Sequence, residues 1–138
     1  YPQLADFAFI EVGDFLGAFL KYLAKSTIKQ LSFAGGIAKI SKLAFGAFNL
    51  HRKDSQVDFA RLASEAAFLG AGQELSQQII AANTVQQVQE WCEHAGIPLA
   101  DHLCRLARRQ IQGKLAQTFR VEVLAVDRQG RCVGRQQA

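Results

Sequence analysis

The sequence predicts an α/β fold: a small, largely parallel sheet flanked by several helices in α/β/α-type layers, with a strand or hairpin at the C-terminal end. Three observations carry that reading. Two short apolar runs, "FAFIEV" (7 to 12) and "KQLSFAGG" (29 to 36), each end on glycine and are each followed by residues at helical spacing, the strand-then-helix order of a parallel sheet. From residue 58 onward the apolar residues recur with helical periodicity. At 119 to 124 the period changes to two, and the chain then turns through Asp127 to Gly130 and returns, as a hairpin does.

Taken in order, "FAFIEV" reads as a buried strand closed by Gly13, after which Asp14 is placed to cap a helix with Phe15, Phe19, Tyr22 and Leu23 on one side and Lys21 and Lys25 on another. "KQLSFAGG" is the second strand, and a helix over 38 to 49 follows it. "RKDSQVD" (52 to 58) is polar enough for a loop, with Asp58 capping the next helix, "FARLASEAAFLGAG". Asn83 and Thr84 divide "QELSQQIIAANTVQQVQEWCEHAG" into two helices, the second ended by Gly96 and Pro98. "LADHLCRLARRQIQGKLAQ" is a further amphipathic helix, basic on its outer side.

A chain of 138 residues with 49% hydrophobic content suits one domain, 1–138, with a core that needs no disulfide or metal. It begins with Tyr1 in place of Met, and a piece of a longer protein is expected. No apolar run reaches membrane-spanning length and no leader pattern opens the chain. Cys92, Cys104 and Cys132 are odd in number and lack a CxxC pair, which fits free thiols in a reducing cytoplasm. The net charge of +4 favours an anionic partner without choosing among nucleic acid, acidic lipid and polycarboxylate.

The helix 38 to 49 has two faces. Ile37, Ile40, Leu43, Ala44, Ala47 and Phe48 fall on one broad side, and Lys39, Lys42, Gly46 and Asn49 share an arc of roughly 80° on the other. Ordinary solvated lysines would account for such a face. Two details argue for more: Gly46 would sit inside the helix, where glycine costs about 1 kcal/mol relative to alanine, and the Gly35–Gly36 corner would present bare N–H groups and a positive helix end beside Lys39.

The order Gly35, Lys39, Lys42, Leu43, Ala44, Gly46, Asn49, His51 resembles the "GHxGKLxKLAxGxxNTH" segment of the CbiD family, the cobalt-precorrin-5B C1-methyltransferases of anaerobic cobalamin biosynthesis. "GDFLGAFL" (13 to 20), "AANTVQQVQEWCEHAG" and "VLAVDRQGRCVG" are similar to further segments of that family in the same order, so the likeness runs along nearly the whole chain and corresponds to the C-terminal part of a larger two-domain enzyme. The chain departs from the pattern at Gly36, Ala38, Leu50 and Arg52, and Asp54 and Asp58 are the candidates for an aspartate the pattern expects nearby.

The resemblance implies methyl transfer from S-adenosylmethionine to C1 of a cobalt-containing tetrapyrrole, with an N-terminal domain of the same chain as partner, no protein-bound metal, no membrane, and homo-oligomerisation left open. The site residues it points to are Gly13, Asp14, Gly17, Gly35, Gly36, Lys39, Lys42, Gly46 and Asn49 for substrate or cofactor, and His51 as an orienting or proton-handling group. Lys21, Lys25, Arg105, Arg108 and Arg109 are further candidates to meet acetate and propionate side chains. On the residues alone, Asp14 reads equally as a helix cap and His51 as a loop histidine. Cys92, His94, His102 and Cys104 form a CxH and HxC set of zinc-ligand types, but positions two apart on a helix diverge by about 200° and cannot chelate. A basic nucleic-acid-binding module and a non-catalytic structural domain are the alternatives; the scattered basic residues and absent recognition motif count against the first.

Overall fold

The computed structural model describes residues 1–51, 55–116 and 118–138. Its elements run α1 (Leu16–Ala24), β1 (Gln30–Gly36), α2 (Ile37–Ala44), α3 (Phe59–Phe68), α4 (Gln73–Ile80), α5 (Val85–His94), α6 (Leu99–Gln112), β2 (Arg120–Val126) and β3 (Cys132–Gln136). The fold is α/β as expected. The sheet has order β1-β2-β3, with β1 and β2 parallel from Gln30↔Arg120 to Gly36↔Val126 and β2 and β3 antiparallel, so the C-terminal hairpin forms as its period-two pattern predicts.

The register decides which face is core. Val121, Val123 and Ala125 of β2 are fully buried, and their parallel neighbours Leu31, Phe33 and Gly35 point the same way. Helix α6 packs on this sheet and on α2, burying Leu99, Leu103, Cys104, Ala107 and Ile111. On the opposite face Glu122, only 6% exposed, is held by Arg135 through Nη2 at 2.5 Å and Nε at 2.7 Å, by Ser32 Oγ at 2.9 Å and by the Tyr1 hydroxyl. A charge buried to that extent stands only because every donor is supplied.

Helix ends follow the expected signals where short polar side chains supply them. Asp58 accepts from the Arg61 N–H at 2.9 Å and Thr84 from the Gln87 N–H at 3.1 Å, capping α3 and α5. Gly46 has a different place from the one expected. Helix α2 stops at Ala44, and Gly46 follows with φ of +93°, its N–H bonded to the Leu43 carbonyl while the Ala47 N–H reaches the Lys42 carbonyl. That is a Schellman ending, in which glycine satisfies a left-handed backbone at little cost. So Gly46 terminates the helix, and Asn49 lies on the returning chain.

Two more expectations are overturned. Residues 7 to 12 form no strand: Asp6–Ala8 is a 3-10 turn, and Phe7, Phe9 and Ile10 remain exposed. A strand apolar on both faces needs cover on both, and of this run Val12 alone is partly buried against the described core. Nor does Asp14 cap α1, whose N-cap is Phe15 with no side-chain bond. The segment instead lies against the residues after α2, with a Phe15↔Asn49 bridge, Leu50 N–H to the Asp14 carbonyl at 2.9 Å, and Gly17 N–H to the Phe48 carbonyl at 3.4 Å. A Cβ at Gly17 would meet Phe48 Cβ at 3.3 Å, so glycine permits this approach.

Two outcomes are expected from the packing. A Cβ at Gly134 would fall 2.6 Å from the Ala100 carbonyl carbon, a backbone atom that cannot swing aside, so Gly134→Ala is expected to cost about 1–3 kcal/mol or more in urea denaturation, with Gly36→Ala, where a Cβ meets nothing within 4 Å, as the near-neutral control. Burial pushes the Cys92 thiol to about 11 and the Cys104 thiol to about 12. Both are therefore protonated at neutral pH, and iodoacetamide on the native protein should label exposed Cys132 alone, as read by peptide mass spectrometry.

Candidate functional site

The residues singled out in the sequence gather in two adjoining places. In the first, Asp14 and Lys39 form an ion pair at 2.9 Å, with the lysine side chain 47% exposed. Strand β1 runs straight into α2 while the 12 to 17 segment lies against 47 to 51, and this brings Gly13, Asp14, Gly17, Lys39, Asn49 and His51 to one corner. Asn49 Oδ1 accepts the His51 N–H at 3.3 Å. The Lys39 hydrogen bond holds the Asp14 carboxyl below its ordinary range against a smaller opposing effect of burial, with the charges of Lys39, His51 and Lys42 adding to the lowering. Asp14 is thus ionised and half of a polar pair. Arg52 and Asp54, named from the sequence, lie outside the described residues.

Lys42 does not join Lys39 on an exposed line. It is 9% exposed, and its Nζ donates to the Leu50 carbonyl at 3.3 Å. The chain turning back after Gly46 covers that side of α2, so the lysine stem packs while its ammonium head stays polar. Three donors belong to that ammonium, and Leu50 accepts one.

Lys42 also faces the second place, a cleft of about 1130 Å³. It opens beyond the C-terminal ends of the parallel strands, where Gly36 of β1 pairs with Val126 of β2 and Asp127 follows, the position at which open α/β sheets take ligands. Gly36 is the N-cap of α2 and no side chain caps that helix, so its first N–H groups and positive end face the cleft. Gly35, by contrast, is turned to the core, where a Cβ would meet Phe33 and Ile40. The start of α5, with Thr84, Val85 and Gln89, forms the opposite wall, and the 55 to 57 segment and the β2–β3 turn complete it.

The turn is rigid by construction. Burial would raise the Asp127 pKa, but backbone N–H groups of Arg131 and Gln129 and the Arg131 guanidinium hold it low, at 2.9, 2.9 and 2.7 Å. Gln89 is the residue the sequence did not single out: it is 7% exposed, lines the cleft, and its Oε1 has no hydrogen-bond partner among the described residues. Of the basic residues proposed for carboxylates, Arg108 is committed to the Val121 carbonyl at 2.8 Å. Lys21, Lys25, Arg105 and Arg109 are exposed and none lines the cleft. Cys92 and Cys104 fill the core, and no group of three or more metal-ligating side chains occurs among the described residues. None of the described helices is long and apolar enough to cross a membrane.

Comparison with known proteins gives one consistent result. The family described as "CbiD, C-terminal domain" matches residues 49–137. The chain is 48% identical over 132 residues to a cobalt-precorrin-5B C(1)-methyltransferase of Pseudomonas syringae pv. tomato, covering 96% of this chain and 36% of the relative. It is 44% identical over 131 residues to the enzyme of the same name from Burkholderia thailandensis, covering 95% and 36%. The chain therefore spans about a third of the length of the curated relatives it matches. No solved structure matches it.

The Asp14–Lys39 pair fixes a pH response. Because the folded carboxyl titrates below its ordinary 3.8, the pair adds stability above the unfolded pKa and loses it as pH falls through the folded one. Lys39→Met is expected to bring the Asp14 carboxyl up to or past 3.8, which a carbon-detected NMR titration of Asp14 would show; an unchanged titration would mean that Lys39 is not its partner.

Proposed function

The chain belongs to the CbiD family through that family's C-terminal domain, and from this premise we propose that it forms part of a cytoplasmic enzyme that transfers a methyl group from S-adenosylmethionine to C1 of cobalt-precorrin-5B, giving cobalt-precorrin-6A. The observation that carries the reading is the buried Lys42 ammonium, which lines the cleft together with the uncapped start of α2. Three donors on a buried ammonium with one acceptor among the described residues suit an anion, and both the amino-acid end of the methyl donor and the side chains of a tetrapyrrole are carboxylates.

The cleft fits a ligand of the donor's kind. Its volume of about 1130 Å³ is ample against the roughly 300–1,000 Å³ usual for small-molecule sites, and its walls offer N–H groups, an ammonium, carboxylates and an amide oxygen. When bound, S-adenosylmethionine supplies an electrophilic methyl group on sulfur, open to in-line displacement by carbon. The protein's own task is then to hold donor and acceptor in register and to exclude competing geometries. Lys42 and the first turn of α2 bind a carboxylate and fix its orientation. Asp14 and Lys39 form a polar rim in which Lys39, about half exposed, can exchange Asp14 for a substrate carboxylate. His51, near enough to act on the charge of Asp14, is positioned to orient the substrate or take up a proton.

The rest of the enzyme is assigned to a second, N-terminal domain. Phe7, Phe9, Ile10, Phe15 and Tyr22 are all more than half exposed, apolar side chains that a neighbouring surface would cover with gain. Together with relatives almost three times the matched length, they support an arrangement in which 1–138 acts as a C-terminal domain packed against the remainder of a longer polypeptide.

The direct test incubates the full-length protein with S-adenosylmethionine and cobalt-precorrin-5B without oxygen and weighs the tetrapyrrole. A gain of one methyl group is expected, and Lys42→Met, which keeps the stem and removes the charge, should lower kcat/KM by about tenfold or more. An unmodified tetrapyrrole with folded protein and intact substrate would overturn the reading. Corrinoid binding and turnover unchanged by Lys39→Ala together with Lys42→Ala would remove both lysines from the site.

A further inference from the structure

The cleft is larger than a donor alone needs, and the acceptor is a polycarboxylate, so either ligand has a claim on it. The lining separates them. Its charged residues are Lys42, Arg128 and Arg131 against Glu90, Glu93 and Asp127, three of each sign among the described residues. A balanced wall suits a zwitterion; a ring bearing many acetates and propionates would be drawn to a surface of one sign. The Lys39 corner holds one half-exposed lysine paired with Asp14, whose ammonium a ring carboxylate could reach from solvent in exchange for Asp14.

Gln89 adds a buried acceptor to this wall. Its Oε1 is an acceptor with two lone pairs, buried and without a partner among the described residues, and leaving such a group unsatisfied costs about 1–3 kcal/mol. An ionised carboxylate, which could take the amide's Nε2 donors, cannot donate to that oxygen. An amino group or a hydroxyl can. Gln89 stands on α5 while Lys42 and the uncapped end of α2 stand across from it, so the cleft presents an acceptor on one wall and donors for an anion on the other.

We infer that this cleft holds the methyl donor and not the tetrapyrrole: Gln89 accepts a hydrogen bond from an N–H or O–H of the donor's nucleoside, while Lys42 and the first turn of α2 meet its carboxylate. The inference rests on the methyltransferase reading given above. It leaves the tetrapyrrole to the Asp14–Lys39 corner, next to the cleft and joined to it through Lys42, with the two ligands approaching from different sides of α2.

The test uses calorimetric titration of the full-length protein with S-adenosylhomocysteine, the stable product of the donor, and with uroporphyrin as an eight-carboxylate probe. Gln89→Met, which keeps the shape and removes the acceptor, is expected to weaken S-adenosylhomocysteine binding about tenfold and to leave uroporphyrin within twofold; Lys39→Met should do the reverse. Hydrogen exchange on the unaltered protein provides a readout independent of any variant's folding: S-adenosylhomocysteine should protect 85 to 94, and uroporphyrin should not. S-adenosylhomocysteine that binds without protecting α5, or equally well to Gln89→Met, overturns this inference and leaves the methyltransferase reading standing. Uroporphyrin protecting 85 to 94 in competition with S-adenosylhomocysteine overturns it as well. Failure of the unaltered protein to bind S-adenosylhomocysteine at all overturns both.

Discussion

Pairing of residues 30–36 with 120–126 is the constraint on which the rest of the molecule depends. Two parallel strands cannot be joined by a tight turn, so the chain between them must leave one end of the sheet and return to the other, and five described helices occupy that path. The hydrogen bonds of the pair fix β1 and β2 to within one register, because a slip of a single residue would turn Val121, Val123 and Ala125 out of the core and bring Glu122 into it. Once the register is set, Gly36 and Val126 end level with one another, and the chain beyond each strand must diverge there. The cleft is the space left by that divergence.

Helix α2 continues from β1 with no connecting loop, and this explains the state of Lys42. Ile40 and Leu43, on the next turn of α2, are fully buried and anchor the helix against α6. The Gly46 ending then sends the chain back along the side of α2 that would otherwise be solvated. A lysine beneath that return loses most of its water, and the Leu50 carbonyl replaces part of it. A methionine or leucine in the same place would avoid the desolvation penalty and pack as well. An anion arriving from the cleft, as proposed above, would offset that penalty where the single Lys42–Leu50 bond does so only in part.

Much of the fold could be read in the sequence because its signals are local. Asp58, Thr84 and the 127 to 130 turn act on residues within four positions of themselves, and the structure uses them as their chemistry suggests. The cores of α2 and α6 are visible in the same way, through spacing alone. The errors concern cover. Residues 7 to 12 are as apolar as β1, but being a strand depends on neighbours that the described chain does not bring to them. Lys39 and Lys42 are three apart and look equivalent on a helical wheel, yet one is in solvent and the other beneath the return from Gly46. That return itself turns on a glycine whose ending of the helix and placement within it give the same composition. Gln89 carries no signal at all, since one glutamine among several on a polar helix is distinguished only by the burial that tertiary packing imposes.

On the reading proposed above, two ligands of opposite demands would meet this domain at adjoining places. A polycarboxylate needs positive charge that can be reached from solvent, as half-exposed Lys39 would be on exchange of its Asp14 partner, and a zwitterionic nucleoside needs matched charges and a dry acceptor. Both cannot be met in one pocket without each weakening the other, because the acids that balance the cleft would repel the ring. Helix α2 separates the two demands by its own periodicity: Lys39 and Lys42 lie nearly one turn apart, far enough to face different surroundings and close enough for both to act on Asp14. A bound donor carboxylate at Lys42 would lessen the positive potential at the Lys39 corner, and a bound tetrapyrrole carboxylate at Lys39 would do the same to the cleft. The electrostatic coupling between two such occupants would be weakly unfavourable, and by linkage equally so in both directions.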